Sequence, residues 1–295
     1  MICKAKILIR SEKMLYYILE KVVFKNKYIL NNGKEMIMKK ILKLLGICIG
    51  LLLISFFSSM IVTGIFAIVI EDSKEMSKYI YIITCIIDVI ILILVDWMYS
   101  IFNKKLLSKD VFKKIKLNEV INISLLGVGL SVCGSILAGE LTEVFPSYVN
   151  VANQLSVKSL DQMIITILII PIFEEIIFRR IIFGYLKENY TVVYAIIVQA
   201  LIFGIAHGNI VQGICAFLIG IVLAIIYMYC DSLVGSMILH MVLNLCGTLI
   251  IPKLLAINEI MGYIVFISGI LCLVFSILKM KKNMEKSFEN RECNN

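Results

Sequence analysis

Apolar residues in this chain neither alternate at the two-residue period of a strand nor form the narrow stripe of a soluble helix. They run on for a span's length and stop at clusters of Lys, Glu, Asp and Asn. A membrane helix needs about 20 predominantly apolar residues. The pattern predicts about eight such spans, at 41–70, 79–102, 120–139, 163–186, 191–208, 210–229, 233–251 and 261–279. The expected fold class is therefore all-α, a polytopic membrane helix bundle. The span 163–186 is unusual because Glu174, Glu175, Arg179 and Arg180 interrupt its middle.

The organisation follows from the same pattern. Residues 1–40 form a basic segment without a span-length run, and Met36 and Met38 directly precede Lys39 and Lys40. That arrangement predicts either a start annotated too far upstream or a basic interfacial helix. Residues 41–162 hold three helices, 163–250 hold the polar exceptions, and 251–295 hold a last helix with a basic tail. No internal repeat marks the chain.

Charge adds orientation. Lys34, Lys39, Lys40 and Lys43 precede the first span, Lys104 to Lys116 follow the second, Lys187 follows the fourth, and Lys279 to Arg291 follow the last. The alternate loops are poor in Lys and Arg. By the positive-inside rule both termini are cytoplasmic.

Composition confirms the solvent. Hydrophobic residues make up 60% and charged residues 17%, with a mean hydropathy of +0.96; soluble domains carry about 45–50% and 25%. The nine cysteines are scattered through apolar runs without a Cys-x-x-Cys pair, so they read as packing residues. The net charge of +8 comes from lysines flanking spans. No soluble surface is left for a nucleic-acid groove, so nucleic acid is not an expected partner; membrane lipid is.

Ionisable groups at the centre of a span cost at least about 2.5–3.5 kcal/mol each, so the few present are functional suspects. They are Asp88 and Asp96, then Glu174, Glu175, Arg179 and Arg180, then His207 and His240, with Asn244 beside the last. Both histidines of the chain fall within or at the edge of spans. At ~1.5 Å per residue from the span ends, Glu174, His207, His240 and Asn244 lie roughly 18, 24, 10 and 16 Å deep, similar enough to share a site. His240 and Asn244 are one turn apart and share a face. Glu175 and Arg179 are also one turn apart and can neutralise each other, while Glu174 points elsewhere. Phe203, one turn before His207, can form an apolar wall. Pro171 removes a backbone donor and is expected to free the carbonyl of Ile167. Asp96, beside Trp97 near an interface, reads as an anchor, and Arg180 is assigned no chemistry.

At these residues the sequence resembles a known family. Glu174-Glu175-x-x-x-Arg179 matches an EExxxR motif, Phe203-x-x-x-His207 an FxxxH motif, and His240-x-x-x-Asn244 an HxxxN motif. All three belong to the CPBP family, which includes the type II CaaX prenyl proteases and the Abi bacteriocin self-immunity proteins. The resemblance implies an intramembrane endopeptidase in the plasma membrane of a bacterium; the residues themselves, Asn244 above all, favour glutamate catalysis with no metal or other cofactor. By the resemblance Glu174 is the general base, His207 holds the attacking water, and His240 and Asn244 donate to the oxyanion. Glu175, Arg179 and Phe203 are structural support. The expected partner is a peptide or membrane-protein substrate. Most bacteria do not prenylate proteins, so the substrate stays open, and a bacteriocin is one alternative.

Other readings of the same residues stand beside this one. A zinc site would use Glu174, His207 and His240 as ligands, although the chain has no His-Glu-x-x-His helix. An immunity protein could bind its toxin without cleaving it. A transporter with buried carboxylates would show inverted repeats and paired broken helices, and an interhelical polar network would only hold the bundle together.

Overall fold

The computed structural model describes residues 73–101, 105–155, 157 and 159–292, together with Gly46 and Gly50. The expected span 41–70 otherwise lies outside the described residues, as does the basic segment 1–40. Among the described residues there is no strand. The helices are α1 (Ser73–Ile101), α2 (Leu117–Val144), α3 (Tyr148–Leu155), α4 (160–189), α5 (Val192–Ala206), α6 (Ile210–Cys230), α7 (Leu233–Leu255) and α8 (Glu259–Glu292).

Small polar residues set several helix starts. Ser159, Thr191, Asn209 and Ser232 occupy the N-cap positions of α4, α5, α6 and α7, and each accepts from a backbone N–H of the first turn. Such caps satisfy donors that have no carbonyl partner within the helix. Asp231, left-handed at φ 47°, closes α6 just before the cap of α7.

The surface is inverted relative to a soluble protein. Ile93, Trp97, Leu117, Ile205, Leu271 and Leu278 are exposed, whereas Asn122, Glu175, Arg179, Gln199, Ser236 and His240 are buried. Among the described residues four helices (α2, α6, α7 and α8) are long and apolar enough to cross a membrane. The chain is a multi-pass membrane protein built of helices.

Buried polar side chains tie these helices together. Ser276 of α8 donates to the carbonyl of Asn122 on α2 at 2.8 Å, and Asn122 returns a bond to the Ser276 carbonyl at 3.3 Å. Gln199 of α5 donates to the carbonyl of Gly220 on α6 at 2.8 Å. Backbones also approach closely where side chains are absent. A Cβ on Gly204 of α5 would lie 2.6 Å from the carbonyl oxygen of Gly213 on α6. That close pairing fixes the end of α5, where His207 sits.

Several boundaries differ from the sequence expectation. Helix α2 runs on to Val144, the loop expected over 140–162 contains α3, and α8 continues past residue 279 to Glu292. Hydropathy sees only the apolar part of each helix, and a helix can continue into its polar flanks. Helix α5 has 15 residues; at ~1.5 Å per residue it spans about 22 Å, short of a roughly 30 Å hydrocarbon core.

Helix α4 departs most from a regular rod. It is continuous from 160 to 189 but contains two π-helical stretches, Ile165–Ile169 and Ile176–Phe183. The first lies just before Pro171 and the second follows Glu175. Such π turns accommodate a residue that cannot fit the regular ladder, and they occur often at functional sites.

Candidate active site

The core of the site is held by α4 and α7. Glu175 and Arg179, one turn apart on α4, are both fully buried, with Oε1 of Glu175 3.1 Å from the guanidinium. The same Oε1 lies 2.8 Å from Nδ1 of His240 on α7. A carboxylate can only accept there, so Nδ1–H of His240 donates to it. Glu175 therefore does more than neutralise Arg179: it fixes the imidazole's orientation and tautomer.

The other ring nitrogen then becomes informative. Nε2 of His240 lies 3.4 Å from Oε2 of Glu174, whose side chain is 26% exposed against 6% for His240. With Nδ1 already carrying a proton, this second approach is favourable when a further proton sits between Nε2 and Oε2. His240 thus bridges the two adjacent carboxylates, one buried and one accessible.

Phe203 of α5 links this cluster to His207. Its ring stacks on Arg179, with the guanidinium carbon 4.5 Å from the centroid, and stands edge-on to His240 at 5.9 Å and to His207 at 4.8 Å. A guanidinium over an aromatic face is stabilised by the ring quadrupole. Nδ1 of His207 lies 2.8 Å from the carbonyl of Phe203. That carbonyl accepts, so the proton is on Nδ1 and Nε2 is left as a free acceptor. His207 ends α5, and Gly208 turns the chain at φ 66° into Asn209, the cap of α6.

Asn244 has a partner of a different kind. In the first π turn the N–H of Ile170 bonds to the carbonyl of Ile165, and Pro171 has no N–H. The carbonyl this leaves without a helical donor is that of Thr166, one residue from the expected Ile167. Nδ2 of Asn244 donates to it at 2.9 Å. Asn244 therefore staples α7 to the break in α4 and keeps one amide hydrogen for other use.

A cavity of about 230 Å³ opens beside these groups. His207, His240 and Asn244 reach its wall, with Ser131 and Ser135 of α2, Tyr148 of α3, Gln212 of α6 and Thr248 of α7. Glu174, partly exposed, adjoins this wall through Nε2 of His240. Among the described residues no group of three His, Cys, Asp or Glu side chains is placed to hold a metal ion. Of the zinc set, Nε2 of His240 and Oε2 of Glu174 are neighbours, but His207 is not placed with them as a third ligand.

Other polar residues of the spans take separate places. Asp96 accepts from the N–H groups of Leu106 and Leu107 at 3.1 and 3.2 Å, which makes it an anchor for the turn after α1. Arg180 donates to the carbonyl of Leu106 at 3.0 Å and so clamps the same turn from α4. Asp88 is nearer the chemistry, close enough to feel the charge of Glu174. The walls from α2 and α3 and the proximity of Asp88 are absent from the sequence reading. No short motif carries them, and they depend on how α1, α2 and α3 pack.

Comparison with known proteins bears on the same segment. Residues 156–246 match the family described as type II CAAX prenyl endopeptidase Rce1-like. The Bacillus subtilis (strain 168) protein named "Putative membrane peptidase YdiL" is 32% identical over 82 residues, which is 28% of this chain and 34% of that protein. The matched stretch thus spans about a third of the relative's length. No solved structure matches this chain. The segment 156–246 is Rce1-like, consistent with the CPBP family suggested by the three motifs.

Proposed function

We propose, from an Rce1-like segment that surrounds a buried His–carboxylate cluster, that the chain is an intramembrane endopeptidase acting on a peptide or membrane-protein substrate. The observation that carries this reading is His240 held between Glu175 and Glu174 at the wall of a cavity that also exposes His207. A purely structural network needs no free imidazole nitrogen turned to a cavity.

The reaction is hydrolysis. Glu174 takes a proton from a water positioned by Nε2 of His207, and the hydroxyl adds to the scissile carbonyl carbon. The resulting oxyanion accepts from Nε2–H of His240 and from the spare amide hydrogen of Asn244. Collapse breaks the C–N bond, and the proton held by Glu174 passes to the departing amine. Glu175 and Arg179 act as positioning residues, keeping Nδ1–H of His240 occupied so that Nε2 faces the reaction.

The test is kinetic. In the purified full chain, His207→Ala and His240→Ala should each lower kcat by about 10²–10³-fold, the usual loss for an acid–base group or oxyanion donor. Peptide cleavage that persists at the wild-type rate in both variants overturns the proposal.

A further inference from the structure

Helices α4 and α7 share a local device. In each, a π turn is followed at once by an Ile-Pro pair: Ile165–Ile169 before Ile170 and Pro171, and Cys246–Ile250 before Ile251 and Pro252. The hydrogen bonding is also the same. Ile170 donates five residues back to the carbonyl of Ile165, and Ile251 donates five back to that of Cys246. The proline that follows has no N–H, so one carbonyl in each helix lacks a helical donor. It is that of Thr166 in α4 and that of Gly247 in α7.

The two carbonyls are treated differently. Asn244 caps Thr166. Gly247 lines the cavity, and a Cβ placed on it would meet nothing within 4 Å. A glycine can contribute only backbone to a wall. At membrane depth, backbone without a partner is tolerated where it faces a water-filled cavity, and Ser131, Ser135, Gln212 and Thr248 give this cavity polar groups among its apolar lining. Among the described residues, the opening beside the Gly247 Cα is thus unfilled, next to a carbonyl that no helical N–H reaches.

Gly247 is also in line with the chemistry. It follows His240 by seven residues, two turns along one face of α7, with Asn244 between them. At ~1.5 Å per helical residue the separation is about 10 Å, the reach of about three residues of extended peptide.

We propose that the Gly247 carbonyl, freed by the π turn and Pro252, is a substrate subsite that accepts the backbone N–H of an extended peptide about three residues from the scissile bond. This rests on the protease reading and adds to it: the site grips main chain, so the substrate segment must be unwound there. A helical segment, whose N–H groups are internally bonded, cannot use it.

The experiment is an N-methyl scan of a peptide cleaved by the purified full chain, in which each amide N–H is removed in turn. One position about three residues from the cut should raise KM roughly 5–10-fold, as expected for one lost hydrogen bond, with kcat little changed. Pro252→Ala supplies an N–H that caps Gly247 internally. In that variant the unmodified peptide should show the raised KM, and methylation at the sensitive position should add nothing further. An equal methylation penalty in wild type and Pro252→Ala, or a scan without a sensitive position, overturns the subsite. Should Pro252→Ala fail to fold, Gly247→Val places a side chain in the same opening; it must raise KM, and an unchanged KM overturns the proposal. Failure of the wild-type chain to cleave any peptide overturns the protease reading itself, a different result from cleavage indifferent to methylation.

Discussion

Arg179 shows how much a single side chain can carry in this protein. It is fully buried, paired with Glu175, and covered by the ring of Phe203. Removing one member of a buried pair leaves the other charge uncompensated, at a cost of about 3–5 kcal/mol. Arg179→Met should therefore lower the melting temperature in detergent sharply, and a change of no more than one or two degrees would show that Glu175 finds another partner. The spacing of Glu175 and Arg179 made their pairing readable from sequence, because residues one turn apart face each other. The bond from His240 to the same carboxylate was not readable, since 65 residues separate the partners and only packing of α7 on α4 joins them. Likewise the motif marked Asn244 as functional, but not its bond to Thr166.

Among the elements, α5 and α6 position His207 through a contact with almost no tolerance. Gly204 and Gly213 bring the two backbones together, and His207 follows Gly204 by one turn. Gly204→Ala would put a methyl group within 2.6 Å of a backbone oxygen. Overpacking of this kind costs about 1–3 kcal/mol, and here it would also displace His207. The expected outcome is a folded protein with a modest loss of stability and a larger loss of kcat. Stability and kcat both unchanged would mean that the helices separate freely and that His207 is held by other contacts. At this scale the apolar runs and the proline in α4 were legible in the sequence, because both act locally. The π turns were hidden: they are a response of the whole backbone to proline and to burial of Glu175 and Arg179. They moved the freed carbonyl from Ile167 to Thr166.

The described part of the molecule is a helical bundle with large apolar side chains on its outside and a few polar groups buried in an otherwise apolar interior. Its class follows from composition alone, since 60% apolar residues in span-length runs admit no water-soluble core. The meeting of Glu174, Glu175 and His240 needs the fold, and the cavity also needs α2 and α3, which lie outside the Rce1-like segment. The proposed catalysis rests on one accessible carboxylate beside one buried carboxylate. The most direct measurement is the cleavage rate of a peptide by the purified full chain in lipid vesicles, with new termini identified by mass spectrometry, for wild type and Glu174→Gln. The account predicts that Glu174→Gln lowers kcat by about 10²–10⁴-fold while melting close to wild type. Equal rates for the two proteins would contradict it.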